Sequence, residues 1–141
     1  MLSSGYSLVS DKPYSHPTKP SEIDDIGKRC TASSYMCLAG GQSGSDNLML
    51  VGCGNCFTLL KRTPLNRPNF NSGAYWYFTD GVSMGFSDTS SINQAAGDTA
   101  YSSNEYKLSW HTDRRTGGWR IGKISWLIHS TDYKKYILIK I

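Results

Sequence analysis

The sequence has no long apolar run and little charge. No window approaches the ~18 consecutive apolar residues that a membrane-spanning helix needs, so we expect no membrane span. The first 20 residues lack the apolar segment of a signal peptide, which leaves an intracellular protein or the mature or excised form of a longer one. Charged residues make up 18% of the chain, too few for a helical bundle rich in Ala, Glu, Leu and Lys.

The sequence also lacks the motifs of common catalytic sites. It contains no Gly-x-Ser-x-Gly elbow, no His-Glu-x-x-His pair and no complete phosphate-binding loop. The three histidines are far apart along the chain, and most aspartates stand in turn-forming segments, where Asp is favoured for backbone reasons. We therefore expect a protein that is not an enzyme and that carries no cofactor.

Net charge gives only a weak indication of the partner. The formal charge of +4 and the isoelectric point near 8.9 permit contact with anionic molecules without requiring it. Basic residues alternate with aromatic ones, as they do in stacking platforms for bases, but neither an RNA-binding signature nor a recognition helix is present. Nucleic acid is therefore an unfavoured partner.

Aromatic residues and glycine are abundant. Nine Tyr, four Trp and fourteen Gly in 141 residues favour short strands joined by tight turns. We predict an all-β fold: a single antiparallel sandwich or barrel-like domain of about eight strands over residues 21–141, after an extended arm over residues 1–20. Prolines in the arm argue against a regular element there. The single helix-like segment is Ser21–Gly27, with Ser21 as its N-cap.

The strands are predicted from apolar patterns between turn-forming segments. In chain order they are Ser33–Leu38, Leu48–Val51, Phe57–Leu60, Gly73–Phe78, Val82–Phe86, Lys107–His111, Trp119–His129 and Tyr133–Ile141. The first two form a hairpin around a loop rich in Gly and Ser, and Asp80-Gly81 marks the turn between the fourth and the fifth.

Four cysteines lie within 27 residues, and their spacing suggests how they pair. Cys37 and Cys53 are about equidistant from the centre of the predicted hairpin, and Cys30 and Cys56 form an outer pair by the same reasoning. Two nested disulfides in an oxidising compartment are therefore favoured. Other pairings, free thiols and a structural zinc bound by the same four cysteines remain open, since Gly52–Cys56 resembles a zinc knuckle.

One segment combines aromatic, charged and glycine residues. The loop Thr112–Gly118 holds Asp and Arg side chains and is flanked by Trp110 and Trp119. Sugars offer C–H faces that stack on indole rings, and hydroxyls that bind carboxylate, guanidinium and imidazole groups. The residues expected to bind ligand are Trp110, His111, Asp113, Arg114, Arg115 and Trp119, with Asp80 in a second wall.

These features predict a non-catalytic, lectin-like module that binds carbohydrate and is secreted or displayed on a surface, with a glycan or glycoprotein as partner. The alternative is a structural or attachment domain of a homo-oligomeric assembly, such as a fibre tip, capsid or adhesin head, in which the aromatic residues form subunit contacts. A zinc-stabilised binder of nucleic acid or protein is less favoured.

Overall fold

The computed structural model describes residues 5–96, 105–113 and 115–141, which form two antiparallel β-sheets. The strands are β1 (Ser7–Pro13), β2 (Tyr35–Gln42), β3 (Leu48–Asn55), β4 (Asn69–Asn71), β5 (Ala74–Thr79), β6 (Ser83–Ser87), β7 (Leu108–His111), β8 (Arg120–Ile121) and β9 (Tyr133–Lys140). The helices are α1 (Pro20–Gly27), α2 (Cys56–Leu60) and a short 3-10 helix, Gln94–Ala96. The predicted all-β fold is confirmed. Within the described ranges, no helix has the length and apolar character that crossing a bilayer requires.

The first sheet has the strand order β1-β9-β2-β3. Alternate residues of β9 point to opposite faces. Ile137 and Ile139 are therefore buried in the core, while Tyr136 and Leu138 lie on the outer face of the sheet. Beside β9, β2 and β3 form the predicted hairpin.

The second sheet has the strand order β4-β5-β6-β7-β8 and supplies much of the aromatic core. In β5, Trp76 and Phe78 point into the core. Tyr77 points to the opposite face and is also buried, and its hydroxyl donates to the Leu108 carbonyl at 3.2 Å. Both faces of β5 are thus covered, which explains how a strand of consecutive aromatic residues can be accommodated.

The two sheets share one hydrophobic core, and glycine lets them approach closely. A Cβ atom at Gly52 of β3 would lie 2.9 Å from the ring of Phe86 in β6. A Cβ atom at Gly40 of β2 would lie 2.6 Å from the side chain of Ile121 in β8. Both distances are shorter than van der Waals contact, so larger residues at these positions would force the sheets apart.

The four cysteines form two disulfides, Cys30–Cys56 and Cys37–Cys53. These are the nested pairs that the sequence favours, and the inner one joins directly opposed residues of β2 and β3. The outer one ties the segment after α1 to the first residue of α2. Because every cysteine sulfur is in a disulfide, the alternative zinc ligand set is not assembled here. Among the described residues, no other group of three or more His, Cys, Asp or Glu is placed to hold a metal ion.

Two helices differ from the prediction. Phe57–Leu60, expected as a strand, belongs to helix α2. The side chain of Asn55 accepts a hydrogen bond from the Thr58 backbone N–H at 3.2 Å and caps the first turn, which offsets the β-propensity of the sequence. Helix α1 begins at Pro20, so Ser21 lies inside it and is not its N-cap. Proline suits the first helical position because its missing N–H would have no partner there.

The predicted strand Trp119–His129 is wrong. Only Arg120–Ile121 pairs with β7, and the chain then turns at Gly122, whose φ of +56° lies in the left-handed region that glycine tolerates best. The rest of the segment runs as a loop, in which Trp126 also has a positive φ of +63°. This loop carries Trp126 to the surface.

The N-terminal segment is part of the first sheet. Met1–Ser4 lie outside the described residues, but Ser7–Pro13 forms β1 and pairs antiparallel with β9. The expectation that the prolines exclude a regular element is therefore wrong over this strand. Pro13 is the last residue of β1, and β1 is an edge strand, where a missing N–H is tolerated.

Candidate functional site

The loop Thr112–Gly118 follows β7, and its first residue joins it to the turn between β5 and β6. Thr112 Oγ1 donates to the Thr79 carbonyl at 2.7 Å and accepts from the Val82 N–H at 3.1 Å. The Gly81 N–H donates to the Thr112 carbonyl at 3.2 Å. The start of the loop is therefore held in a fixed position on the second sheet.

Asp113 folds the first half of the loop around its carboxylate. Its Oδ1 accepts hydrogen bonds from the backbone N–H groups of Arg115 and Thr116 and from the Thr116 hydroxyl, each at 3.0 Å. Although partial burial opposes ionisation, these bonds hold the pKa of Asp113 below its usual range. Asp113 is thus ionised at neutral pH and fixed. Arg115 is exposed, and Arg114 lies outside the described residues.

His111 extends this hydrogen-bonded group. Its Nδ1 lies 2.6 Å from Thr116 Oγ1, and the Thr116 hydroxyl donates to Asp113. Since a hydroxyl has one proton, the imidazole supplies the proton of the Nδ1···Oγ1 bond, which leaves Nε2 as an acceptor in the neutral ring. Burial lowers the pKa of His111, and the carboxylate of Asp113 only partly opposes this shift. The ring is therefore neutral at pH 7.

Three aromatic rings form a shelf beside the loop. His111 and Trp119 stack with ring centroids 5.8 Å apart and planes 19° from parallel, and the ring of Trp119 meets that of Trp126 at 4.5 Å and 54°. We call these three residues the aromatic shelf. Trp126 forms its outer end and is 76% exposed. Its left-handed backbone costs roughly 1–2 kcal/mol for a residue other than glycine.

A groove of about 670 Å³ adjoins the loop on the side of Asp113. Its lining residues are Lys19, Pro20, Ser21, Asp80, Gly81, Thr112 and Asp113. Asp80 and Asp113 therefore border the same depression, although they are far apart in the sequence. Asp113 also bonds to the Thr116 hydroxyl that contacts His111, so this carboxylate links the groove to the aromatic shelf.

Arg62 holds Asp80 from outside the groove. Its Nε lies 2.6 Å from Asp80 Oδ1, and its Nη2 lies 2.9 Å from Asp24 Oδ2 of α1. The guanidinium carbon lies 3.8 Å from the centroid of the Phe78 ring. Hydrogen bonds raise the pKa of Arg62, and the bond to Asp24 has a larger effect than the bond to Asp80. The arginine thus connects α1 to the β5–β6 turn and positions Asp80 at the groove wall.

Trp110, which the sequence names as a ligand-binding residue, takes no part in the shelf. It is 1% exposed, and its Nε1 donates to the Tyr14 hydroxyl at 3.0 Å. That hydroxyl donates in turn to the Arg120 carbonyl, also at 3.0 Å. Because neighbouring residues of a strand face opposite sides, Trp110 points into the core while His111 points toward the loop.

A buried lysine ties down the second half of the loop. Lys135 of β9 is 5% exposed, and its Nζ donates to the Gly117 carbonyl at 3.1 Å and to Thr18 Oγ1 at 2.5 Å. It also donates to the His16 carbonyl. Burial lowers the pKa of Lys135 to about 7, against the opposing effect of Glu22. The lysine therefore connects β9, the N-terminal segment and the loop.

The structure brings together several residues that the sequence singled out. His111, Asp113 and Trp119 are in or next to the shelf. Asp80 shares the groove with Asp113. Sequence reasoning missed Trp126, because it was placed inside a predicted strand. The signal that could have found it is the isolated glycine at position 122, since glycine within a strand pattern indicates a bulge or a turn.

Comparisons with protein-family models, with curated proteins and with solved structures find no match to the chain. The function is therefore inferred from the geometry and chemistry of the site.

Proposed function

We propose that the chain is a non-catalytic recognition module that binds carbohydrate at the aromatic shelf and the adjoining groove. The indole of Trp126 stacks on the C–H face of a sugar ring. The carboxylates of Asp80 and Asp113 accept hydrogen bonds from sugar hydroxyls, and the guanidinium of Arg115 donates to ring or hydroxyl oxygens. The partner is a glycan or a glycoprotein.

The exposure of Trp126 is the observation that carries this proposal. A tryptophan that is 76% exposed adds little buried area to the fold. Its left-handed backbone costs free energy that glycine would avoid, and strain of this kind is concentrated at ligand-binding positions. The ring is also held against Trp119, which is stacked on His111, so that its orientation is set before ligand arrives. A prepositioned ring loses little conformational entropy on binding.

The charges around the groove indicate the type of sugar. Asp80 and Asp113 line it, and among the lining residues that the structure describes Lys19 supplies the one ammonium group. Arg62 neutralises the charge of Asp80, so Asp113 is the carboxylate that repels acidic sugars, while both carboxylates accept hydrogen bonds from sugar hydroxyls. A neutral glycan therefore fits the groove better than a sulfated or sialylated one.

The disulfides bear on where such a module works. Two disulfides are typical of proteins that fold in an oxidising compartment, and they are rare in a reducing cytosol. We therefore propose an extracellular or surface-displayed protein. This location also gives access to glycans on other cells or secreted proteins.

A glycan array, followed by titration of a bound sugar with isothermal titration calorimetry as the readout, tests the proposal. We expect Trp126→Ala to weaken binding about tenfold or more, which corresponds to ~1.4 kcal/mol. Phe70→Ala is the matched control, because Phe70 is an exposed aromatic residue on β4, at the opposite edge of the sheet from β8. An array without any binding, or equal affinity for the Trp126→Ala variant and the unaltered chain, would contradict the proposal.

A subunit of a larger assembly is the second candidate function. The observation in its favour is that β3 is an uncharged strand which, among the described residues, is paired on one side only.

A further inference from the structure

The two sheets have four edge strands, and three of them carry features that discourage pairing with another chain. Natural proteins protect sheet edges by short strands, charged residues, proline or bulges. β4 has three residues and β8 has two. β1 contains Asp11, Lys12 and Pro13, and its register is shifted between Leu8 and Ser10.

The fourth edge strand, β3, lacks charged residues and proline, and it is free of bulges over most of its length. It has eight residues, Leu48–Asn55, and none of them is charged or proline. Met49 is 48% exposed and Val51 is 37% exposed. The register shift lies at its start, between the partners of Gly40 and Gly41, so pairing from Leu50 onward is regular. In the described part of the chain, the backbone of Leu48–Gly54 makes hydrogen bonds to β2 and to no other segment.

The free edge is also rigid. The Cys37–Cys53 disulfide joins β3 to β2 in mid-strand, and β2 is paired on its other side with β9. A strand added to this edge would meet donors and acceptors that are already ordered, so the entropy lost on association is small.

A cleft beside β3 can receive side chains from an added strand. It has a volume of about 340 Å³ and lies between the β3 edge and the second sheet. Its lining residues include Leu50 and Val51 of β3 and the aromatic residues Trp76, Phe86 and Tyr106. Because alternate residues of a strand point to opposite faces, an incoming strand would place every second side chain in this cleft.

We propose that β3 pairs with β3 of a second copy of the chain, antiparallel across a two-fold axis. In such an interface each strand meets its own sequence in reverse, so a charged strand would repel itself and an uncharged, apolar one does not. The chain has a net charge of +4, yet its charged residues are absent from this strand. The partner's Leu50 points to the same face as Leu50 here, and it supplies an apolar side chain for the cleft.

The pairing closes at two copies. It unites the two four-stranded sheets into one of eight strands, whose outer edges are then the two β1 strands. Those edges carry Asp11, Lys12 and Pro13, which discourage further addition. The expected product is therefore a dimer and not a fibre.

Sedimentation velocity over a wide range of protein concentrations tests the proposal. We expect the oxidised chain to change from monomer to dimer as its concentration rises. Val51→Lys should keep the monomer mass throughout, because a charged side chain on an edge strand discourages pairing with another strand. Leu65→Lys is the matched control, since Leu65 is an exposed leucine in the segment between α2 and β4, and it should dimerise like the unaltered chain.

Amide hydrogen exchange on the unaltered chain gives an independent readout that needs no variant. We expect the β3 amides that face away from β2 to exchange more slowly at high concentration. A dimer that persists in a folded Val51→Lys variant would overturn the proposal, because the interface would lie elsewhere. A monomer whose β3 amides exchange equally fast at every concentration would also overturn it. The remaining candidate for binding at this edge would then be an extended peptide of another protein.

Discussion

Trp126 combines an exposed indole with a backbone conformation that favours glycine. Trp110 has the opposite surroundings, with its ring in the core and its Nε1 bonded to Tyr14. Sequence reasoning could not separate the two, because both stand among aromatic and apolar neighbours that suit a strand. What separates them is the turn at Gly122, which takes the chain out of the sheet before Trp126 is reached.

Replacing Trp126 by glycine and by alanine should separate the energetic cost of its backbone conformation from the contribution of its ring contact with Trp119. Both variants lose the ring contact with Trp119, but only glycine relieves the left-handed backbone. We expect Trp126→Gly to exceed Trp126→Ala in unfolding free energy by about 1 kcal/mol, as measured by urea denaturation.

The same pair of substitutions at Leu65 is the control, because Leu65 is exposed and does not have a positive φ. There the glycine variant should be the less stable one, since glycine increases the entropy of the unfolded chain. Equal stability of the two Trp126 variants would show that the position is not strained.

At the scale of secondary-structure elements, short local signals decide what a segment becomes. Phe57–Leu60 has the composition of a strand, yet it forms helix α2 because Asn55 caps it. Asn55 Nδ2 also donates to the Ala32 carbonyl at 2.9 Å. One side chain thus sets where β3 ends and where the helix begins.

Asn55→Ala should lower the unfolding free energy by about 1 kcal/mol, because the Thr58 N–H loses its acceptor. Asn55→Asp keeps an acceptor and loses the donor to Ala32, so its stability should lie between those of the alanine variant and the unaltered chain. Urea denaturation of the three proteins measures both differences. Stability of the alanine variant equal to that of the unaltered chain would mean that the cap contributes nothing.

The parts of the fold that the sequence predicts are those encoded locally. The β2–β3 hairpin and its cysteine pairing follow from residues placed symmetrically about one turn. The partner of β1 could not be predicted, because Ser7–Pro13 pairs with a strand at the other end of the chain. The groove was likewise only partly predictable. Asp80 and Asp113 could be chosen as binding residues because carboxylates bind hydroxyls, but their position in the same groove depends on the contacts that Thr112 makes with the β5–β6 turn.

At the scale of the whole molecule, Lys135 joins segments that are distant in the sequence. Its Nζ contacts Thr18, near the N-terminus, and Gly117 in the candidate ligand-binding loop, while its own strand lies near the C-terminus. The negative charge of Glu22 raises the pKa of Lys135 and only partly offsets the effect of burial. The arrangement makes the stability of the fold sensitive to pH.

The direction of this pH dependence follows from proton binding. In the unfolded chain Lys135 keeps the ordinary lysine pKa of 10.5, whereas burial lowers its pKa in the folded protein to about 7. Between these values the unfolded state binds more protons, so the contribution of Lys135 to unfolding free energy rises with pH. We expect Lys135→Met to flatten the rise between pH 7 and 9, as measured by urea denaturation at each pH.

Lys140→Met is the control for this measurement, because Lys140 lies on the same strand and is exposed. It should keep the pH dependence of the unaltered chain. A slope that is the same in Lys135→Met and in the unaltered chain would show that the buried amine does not change its protonation on folding.

The pairing of β1 with β9 determines how the molecule responds to a pulling force. Ser7 lies opposite Ile139, and Pro13 lies opposite Lys134. The start of β1 therefore lies beside the end of β9. Tension applied between the chain's two ends therefore loads the β1–β9 hydrogen bonds one after another, as in opening a zipper, and not all at once in shear. Under load, the first strand to detach is β1, which leaves both disulfides and the β2–β3 hairpin intact.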